Sequence, residues 1–479
     1  MKDVLQELMA AAAGIVDYAD ARYVSSSSER LGVRNGRVLE LARSDGEGFG
    51  VRVRMHGAWG FAAARGSDRA AAESALARAI AIAESQPSPG DAPALAPEEP
   101  ALGSHSSPSD RDPFDVSFED KLSVLTAAEE QLRDDPRITV STAHYVAFQD
   151  RKAFASTEGA SYDQTTTECG GGVVATAVDS GETQVRSYPA SFRGDVAQRG
   201  FEHFTELDLV GHAPRVRDEA LALLSAPACP SQRTTLILDG EQLALQVHES
   251  VGHAVELDRV LGLEASYAGT SWVEVTGLGS LRYGSELMNV TADATTPEGL
   301  GSFAWDDEGV AAHRVPIVRD GVLRGFLSSR ETAGEVGLER SGGAMRADGF
   351  ARQPIVRMTN VHLEPGDAGS LEDLIASTDR GILMETNRSW SIDQRRWQFQ
   401  FGTEIAWEIV DGRRGRMLRN PSYAGVTPEF WGSLDAVCSA PEWRLWGVLN
   451  CGKGEPGQSM HVSHGTAPAR FRDVQVGIA

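Results

Sequence analysis

His248, Glu249 and His253 are the residues of this chain best suited to chemistry. They lie in LDGEQLALQVHESVGHAVELDRV and form an H-E-x-x-x-H pattern. Two imidazoles can hold a metal ion while a neighbouring carboxylate moves a proton. In the common zinc-binding signature the histidines stand four apart, about 40° from one another around a helix, and grip one ion. Five apart on a regular α-helix they diverge by about 140° and cannot chelate. A π-bulge or a kink would return both rings to one face. Gly252, immediately before His253, is where a helix deforms at least cost. The spacing therefore predicts a distorted helix between Glu249 and His253. On the local pattern alone, the competing reading is a plain helix with two surface histidines.

The elements that must position these residues can be read on either side. TTLILDG predicts a short buried strand, Thr234 to Leu238, running straight into the histidine-bearing helix. Beyond it the chain reads as strand and loop, with hairpin turns at Asp320-Gly321 and Asp411-Gly412. PIVRMTNVHLEPG is strand-like, and LEDLIASTD near residue 375 is the other clear helix. Upstream, the turn-like Ala226–Pro230 marks the main boundary, giving an N-terminal α+β domain, 1–226, and a C-terminal β-rich domain, 227–479.

Within the first domain, Val4 to Val16 follow helical spacing among acidic residues, which predicts an amphipathic helix rather than a signal peptide. Asn35-Gly36 predicts a type I′ hairpin. Val51, Val53 and Met55 alternate with Arg52, Arg54 and His56 as in a half-buried strand, followed by a Gly-turn and a second strand. Ser67 is placed to cap the alanine-rich helix after it, and Ser117 with Asp120 to open another, reaching about Arg133. Residues 138–187 read as β, with a turn at Asp150–Lys152 and a flexible Gly170–Gly172. The Pro- and Ser-rich stretch 86–114 reads as an exposed connector. The fold class expected is α+β.

Composition narrows the function. The 479 residues carry 45 Lys+Arg against 68 Asp+Glu, a formal charge of −23. That gives no basic footprint for nucleic acid and no attraction to anionic membranes. No apolar run approaches the roughly 18 residues of a membrane span, and no phosphate-binding glycine motif occurs. A cytoplasmic location is expected. Four cysteines, none spaced C-x-x-C, make neither a disulfide framework nor a zinc ribbon. Cys169, Cys229 and Cys438 read as small buried or turn residues.

HESVGHAVELD closely resembles the metal-binding segment of the TldD/PmbA family, in its TldD-type branch. GFGVRVRMHGAWGFAA, the DDEG turn at Asp306–Gly309, RDGVLRGFL, VRMTNVHLEPG and NCGKGEPGQSM resemble further family segments in the same order. The resemblance runs from about residue 20 to the C-terminus. It implies one zinc ion per chain, held by His248, His253 and Cys451 of the C-G-K turn, with Glu249 as the catalytic carboxylate. A thiolate suits zinc, and three protein ligands leave a fourth position for water. The residues Gly454–Pro456 that precede Gly457-Gln458 put the shape of this loop in question. His461 and His464 are the rival third ligands. Glu256 and Asp258 are either supports for a ligand histidine or a solvated last turn.

The chemistry implied is metal-assisted hydrolysis of unfolded or short peptides, with Glu249 taking a proton from water and returning it to the leaving amine. No oxyanion donor can be named from the sequence. The resemblance also implies a dimer, either a homodimer or a pairing with a PmbA/TldE-type subunit, enclosing the active centre in a cavity. Strand-rich walls would bind an extended peptide by β-addition. A non-catalytic partner subunit, a regulator of a nucleic-acid enzyme and a metal-dependent small-molecule amidase are the other readings.

Overall fold

Asn35 and Gly36 adopt the paired positive φ angles, 49° and 72°, that a type I′ turn requires. They join the strands Tyr18–Arg34 and Arg37–Met55 in the computed structural model, which describes residues 1–90, 92–191, 194–454 and 457–477. His56-Gly57 then turns the chain into Ala58–Arg65. These strands belong to an eight-stranded sheet continued by Ile138–Ser156 and Ser161–Asp179. Lys2–Ala12 and Arg69–Ser85 pack Leu5, Leu8, Ala75 and Ala79 over one part of it. Phe118–Leu132 and Leu209–Ser225 cover another part, around Tyr145 and Val173.

Several local expectations change. The first helix ends at Ala12, and Ile15, expected on its apolar face, is 60 % exposed. Asp68, not Ser67, caps the alanine-rich helix, accepting from the Ala71 N–H at 2.8 Å. Ser117 does cap its helix, accepting from the Asp120 N–H. Asp150–Lys152 makes no turn; one strand runs through it from Ile138 to Ser156. Gly170–Gly172 is not a flexible run but lies inside Ser161–Asp179. A Cβ there would meet the Asp195 carbonyl at 2.1 Å, the His144 carbonyl at 2.3 Å or the Gly194 Cα at 2.6 Å. Most described residues of the connector are exposed, as expected, but parts of it dock: Ala96 exchanges backbone and guanidinium hydrogen bonds with Arg330, and Leu102–Ser106 pairs in parallel with Ser161–Asp179.

Arg52 and Arg54, read as the wet side of a half-buried strand, are both buried. Arg54 donates to the Pro93 carbonyl and lies over Trp59; for Arg52 the reason lies in the DDEG turn. Arg52 pairs with Asp20 and, at 3.3 Å, with Glu308; Arg22 and Lys152 pair with Asp307. Opposite charges thus tie the first sheet to the segment around residue 307, where each loses its hydration and gains a partner.

After residue 230, Gln232–Leu238 pairs in parallel with Arg380–Ile392 and antiparallel with Ala469–Val476. Ser422–Val426 and Gln398–Val410 continue the path, and the latter pairs back onto Arg380–Ile392, closing five strands into a ring. The turns at Asp320-Gly321 and Asp411-Gly412 form as expected, with φ of 50° and 72°, and 50° and 69°. Helices Arg330–Glu335 and Thr427–Gly432 add to the two helical segments read from the sequence. The architecture is α+β, β-rich in the C-terminal part. A hairpin of Arg444–Lys453 and Gln458–Thr466 lies beside the ring and carries Cys451, His461 and His464.

Candidate metal centre

Asp239 ends the strand Gln232–Leu238 and caps the helix Gly240–Val247 through the Gln242 N–H. Leu243 and Val247 anchor that helix in the main core. The following turn, His248–Gly252, is π-helical, and the His253 N–H donates to the His248 carbonyl five residues back. The extra residue in this turn brings both imidazoles to one side, as the spacing required. The distortion has a visible cause. Ser250 Oγ donates back to the Gln246 carbonyl at 2.6 Å, while the Ser250 carbonyl accepts from Tyr283 Oη at 2.6 Å. Side chains inserted into the ladder in this way bend helices. Gly252 plays a different part from the one expected. Its backbone is ordinary helix, φ −51° and ψ −57°, but a Cβ would lie 2.1 Å from Met358 Sδ.

The ligand-capable atoms of His248, His253 and Cys451 all lie within 4.8 Å of one another, and all three residues are buried. Cys451 Sγ is 3.6 Å from His253 Nε2, and the two imidazoles meet edge to face at 4.8 Å. Burial pushes both imidazoles below their ordinary value, although neighbouring carboxylates oppose it. Burial also raises the thiols of Cys169, Cys229 and Cys438, to about 12, 11 and 12. For Cys451, burial is outweighed by His253 and Arg357, so its thiol alone among the four lies below the ordinary value. Arg357, fully buried, donates to Cys451 Sγ at 3.2 Å and also to the Cys451 carbonyl. Two imidazole nitrogens and an activated thiol fit zinc, with room for a fourth ligand from solvent or substrate.

His253 Nδ1 donates to Glu256 at 2.9 Å, so Glu256 does support a candidate ligand. Burial alone would raise this carboxyl, but Lys453, His253 and Arg259 hold it well below its ordinary value. Asp258 touches no histidine. It is buried, not solvated, and receives Lys453 Nζ at 2.7 and 2.8 Å. Lys453, fully buried, thereby pins the Cys451 strand to the end of the histidine helix. Of the rival ligands, His461 Nδ1 faces Glu168 at 2.6 Å, away from the cluster. His464 Nε2 sits 2.7 Å behind His248, on Nδ1. Glu455 and Pro456, in the loop after Lys453, lie outside the described residues.

Glu249 lines the same cavity of about 410 Å³ and pairs there with Arg396. Arg396 is held at φ 64°, a left-handed conformation that L-residues adopt at a cost. Leu245, Trp390, Trp446 and Val448 give the cavity an apolar wall. Cavities of about 840 and 550 Å³ adjoin it, sharing Leu449 and Asn450 on one side and Ile392, Arg396 and Gly452 on the other. Arg357, Arg396 and the anchoring role of Lys453 had no sequence signal, because nothing in a local pattern shows which arginine crosses the fold. Among the described residues, no helix is long and apolar enough to cross a membrane.

The ring, the hairpin and the buried imidazole–thiol cluster define a class of mixed α+β protein able to hold a metal ion. Family models narrow the class: the PmbA/TldA metallopeptidase domain 1 matches residues 19–83, the central domain 111–224 and the C-terminal domain 231–478. The chain belongs to the PmbA/TldA metallopeptidase family. It is 31 % identical to a protein named "Metalloprotease" from Methanothermobacter thermautotrophicus, over 96 % of both chains. It is 25 % identical to a "Zinc metalloprotease TldD homolog" from Saccharolobus solfataricus, over 50 % of this chain and 51 % of that one. TldE from Thermococcus kodakarensis shares the fold at a TM-score of 0.74 and 15 % identity, over 99 % of this chain and 100 % of the other.

Proposed function

We propose that this protein is a zinc-dependent peptidase acting on unfolded or short peptides, with one ion per chain on His248, His253 and Cys451. The observation that carries the reading is the convergence of those three donors within 4.8 Å, with Glu249 beside them in one cavity. The name of the Saccharolobus relative supports zinc as the ion. When bound, zinc acidifies water and polarises a carbonyl, as in other hydrolytic sites with three protein ligands.

The chain's own residues do the rest. Glu249 takes the proton of the attacking water and delivers it to the leaving amine nitrogen. Arg396 holds that carboxylate toward the cavity. The strand Arg444–Lys453 slips register between Val448 and Cys451, so Leu449 and Asn450 leave the ladder where the cavities of about 410 and 840 Å³ meet. An extended peptide laid along this strand by β-addition passes the cluster with little sequence preference. On this reading the metal centre belongs to a C-terminal domain, 227–479, and the 1–226 domain walls one end of the path. The active form is a dimer enclosing the cavity, either of two copies or with a TldE-type subunit, in the cytoplasm.

Elemental analysis of the protein purified without chelator is the test. About one zinc per chain is expected, most of it lost in Cys451→Ser. Glu249→Gln should keep the metal yet lose essentially all turnover of unstructured peptides. A metal-free wild type, after zinc is supplied, refutes the reading. Turnover near the wild-type rate in Glu249→Gln removes Glu249 from its role.

A further inference from the structure

His464 has both ring nitrogens committed. Its Nδ1 lies 2.8 Å from the Val361 carbonyl oxygen, and its Nε2 lies 2.7 Å from His248 Nδ1. A carbonyl oxygen only accepts, so Nδ1 of His464 carries a proton. Among the described residues no carboxylate touches this fully buried ring to stabilise a second proton, so it is neutral and carries only this one, which leaves Nε2 of His464 as a lone pair. The His248 contact must then be filled by the Nδ1–H of His248. It follows that His248 Nε2 is bare, the state in which an imidazole ligates a metal.

We propose that His464 is a positioning residue that sets the tautomer and ring orientation of His248 through this Val361–His464–His248 chain, and is not itself a ligand. The inference rests on the metal-centre reading above and adds a residue to it. The two candidate ligand histidines are then oriented by different means: His253 by the Glu256 carboxylate, His248 by a neutral imidazole. A carboxylate at both positions would add a further buried negative charge beside Cys451. The imidazole supplies the same acceptor without one.

The surrounding structure holds His464 in place. It is fully buried and stands perpendicular to His248, with ring centroids 4.9 Å apart. The next residue, Gly465, donates its N–H to His362 Nδ1 at 2.6 Å. A Cβ on Gly465 would lie 1.7 Å from the Trp443 ring, so the backbone here passes directly beneath the indole. On the other side, Ser463 bridges to Asn360 and accepts from the Leu300 N–H at 3.0 Å. Ligand histidines elsewhere depend on such partners: removing one costs about 10–100-fold in metal affinity.

The test compares His464→Gln with His464→Leu in the full-length chain, stripped with chelator and titrated with zinc against a chelating dye. Glutamine offers an amide oxygen to His248 and an amide N–H to Val361, so it reproduces both bonds. Leucine fills the volume and makes neither. Zinc affinity should fall roughly 10–100-fold in the leucine variant and stay within about threefold of wild type in the glutamine variant. Cobalt substitution should retain thiolate-to-metal absorption in both, because Cys451 is untouched. Circular dichroism of the metal-free forms checks folding. Unchanged affinity in the leucine variant overturns the proposal. So does a loss beyond tenfold in a folded glutamine variant, which decides the matter even if the leucine variant does not fold. Wild-type protein that binds neither ion overturns the metal-centre reading, and this inference with it.

Discussion

Replacing Lys453 with methionine removes a fully buried ammonium that donates to both oxygens of Asp258, at 2.7 and 2.8 Å, and to the Val356 carbonyl at 2.7 Å. Glu256 keeps His253 and Arg259 as partners. Asp258 is left without a cation. Burial already outweighs Lys453 at this carboxyl and raises it above the ordinary 3.8. Without the lysine, a buried, unpaired carboxylate either stays ionised, at about 3–5 kcal/mol, or takes up a proton on folding. Protonation sets the ceiling, because its cost grows by 1.36 kcal/mol for each pH unit above the unfolded pKa. The ceiling is therefore about 4 kcal/mol at pH 7 and about 1.5 kcal/mol at pH 5. Urea unfolding of metal-free wild type and Lys453→Met at both pH values measures it. Wild-type Asp258, itself raised, already bears part of this cost, so the variant should be less stable by about 1–4 kcal/mol at pH 7, with a smaller deficit at pH 5. Glu256 also loses Lys453 but keeps two cations, and titrations away from Lys453 are common to both proteins and cancel in the difference. A deficit under about 1 kcal/mol at pH 7, or one equal at the two pH values, refutes the account of Lys453 as the counter-charge of Asp258.

Two further outcomes follow from single contacts. Gly252→Ala drives a methyl toward Met358 Sδ, 2.1 Å away, and should cost about 1–3 kcal/mol by overpacking while weakening zinc binding through displacement of His253. Unchanged stability and metal content would show that the turn has room. His362 is pushed down to about 4, chiefly by burial, from 6.5 in the unfolded chain. The stability it contributes is present above pH 6.5 and lost as pH falls toward 4. The wild type should lose about 2 kcal/mol between pH 7 and 5 from this group, and His362→Gln should flatten that limb in chemical denaturation; an identical acid limb in the variant would contradict it.

What could be read from the sequence was local. The hairpin at Asn35-Gly36, the two Asp-Gly turns and the Ser117 cap formed because each is decided by a few adjacent side chains and the φ angles they tolerate. The distorted turn was legible for the same reason. Histidines five apart can share an ion only if the helix departs from 3.6 residues per turn, and the spacing alone states this. Where reading failed, the deciding partner was distant. Arg52 and Arg54 are buried because Asp20, Glu308 and Trp59 lie over them. Gly170–Gly172 is strand because Asp195, His144 and Gly194 leave no space for side chains.

The candidate centre divides along the same line. The sequence determined the chemistry available: two imidazoles and a carboxylate within six residues, and a cysteine some 200 residues later that local geometry could not attach to them. Tertiary structure decided everything that depends on distance. It brought Cys451 to 3.6 Å from His253, set Lys453 and Glu256 between hairpin and helix, turned His461 toward Glu168 and placed His464 behind His248. Residue types fix which bonds can form. Only the packed chain, which excludes water and holds each donor against one acceptor, fixes which of them do.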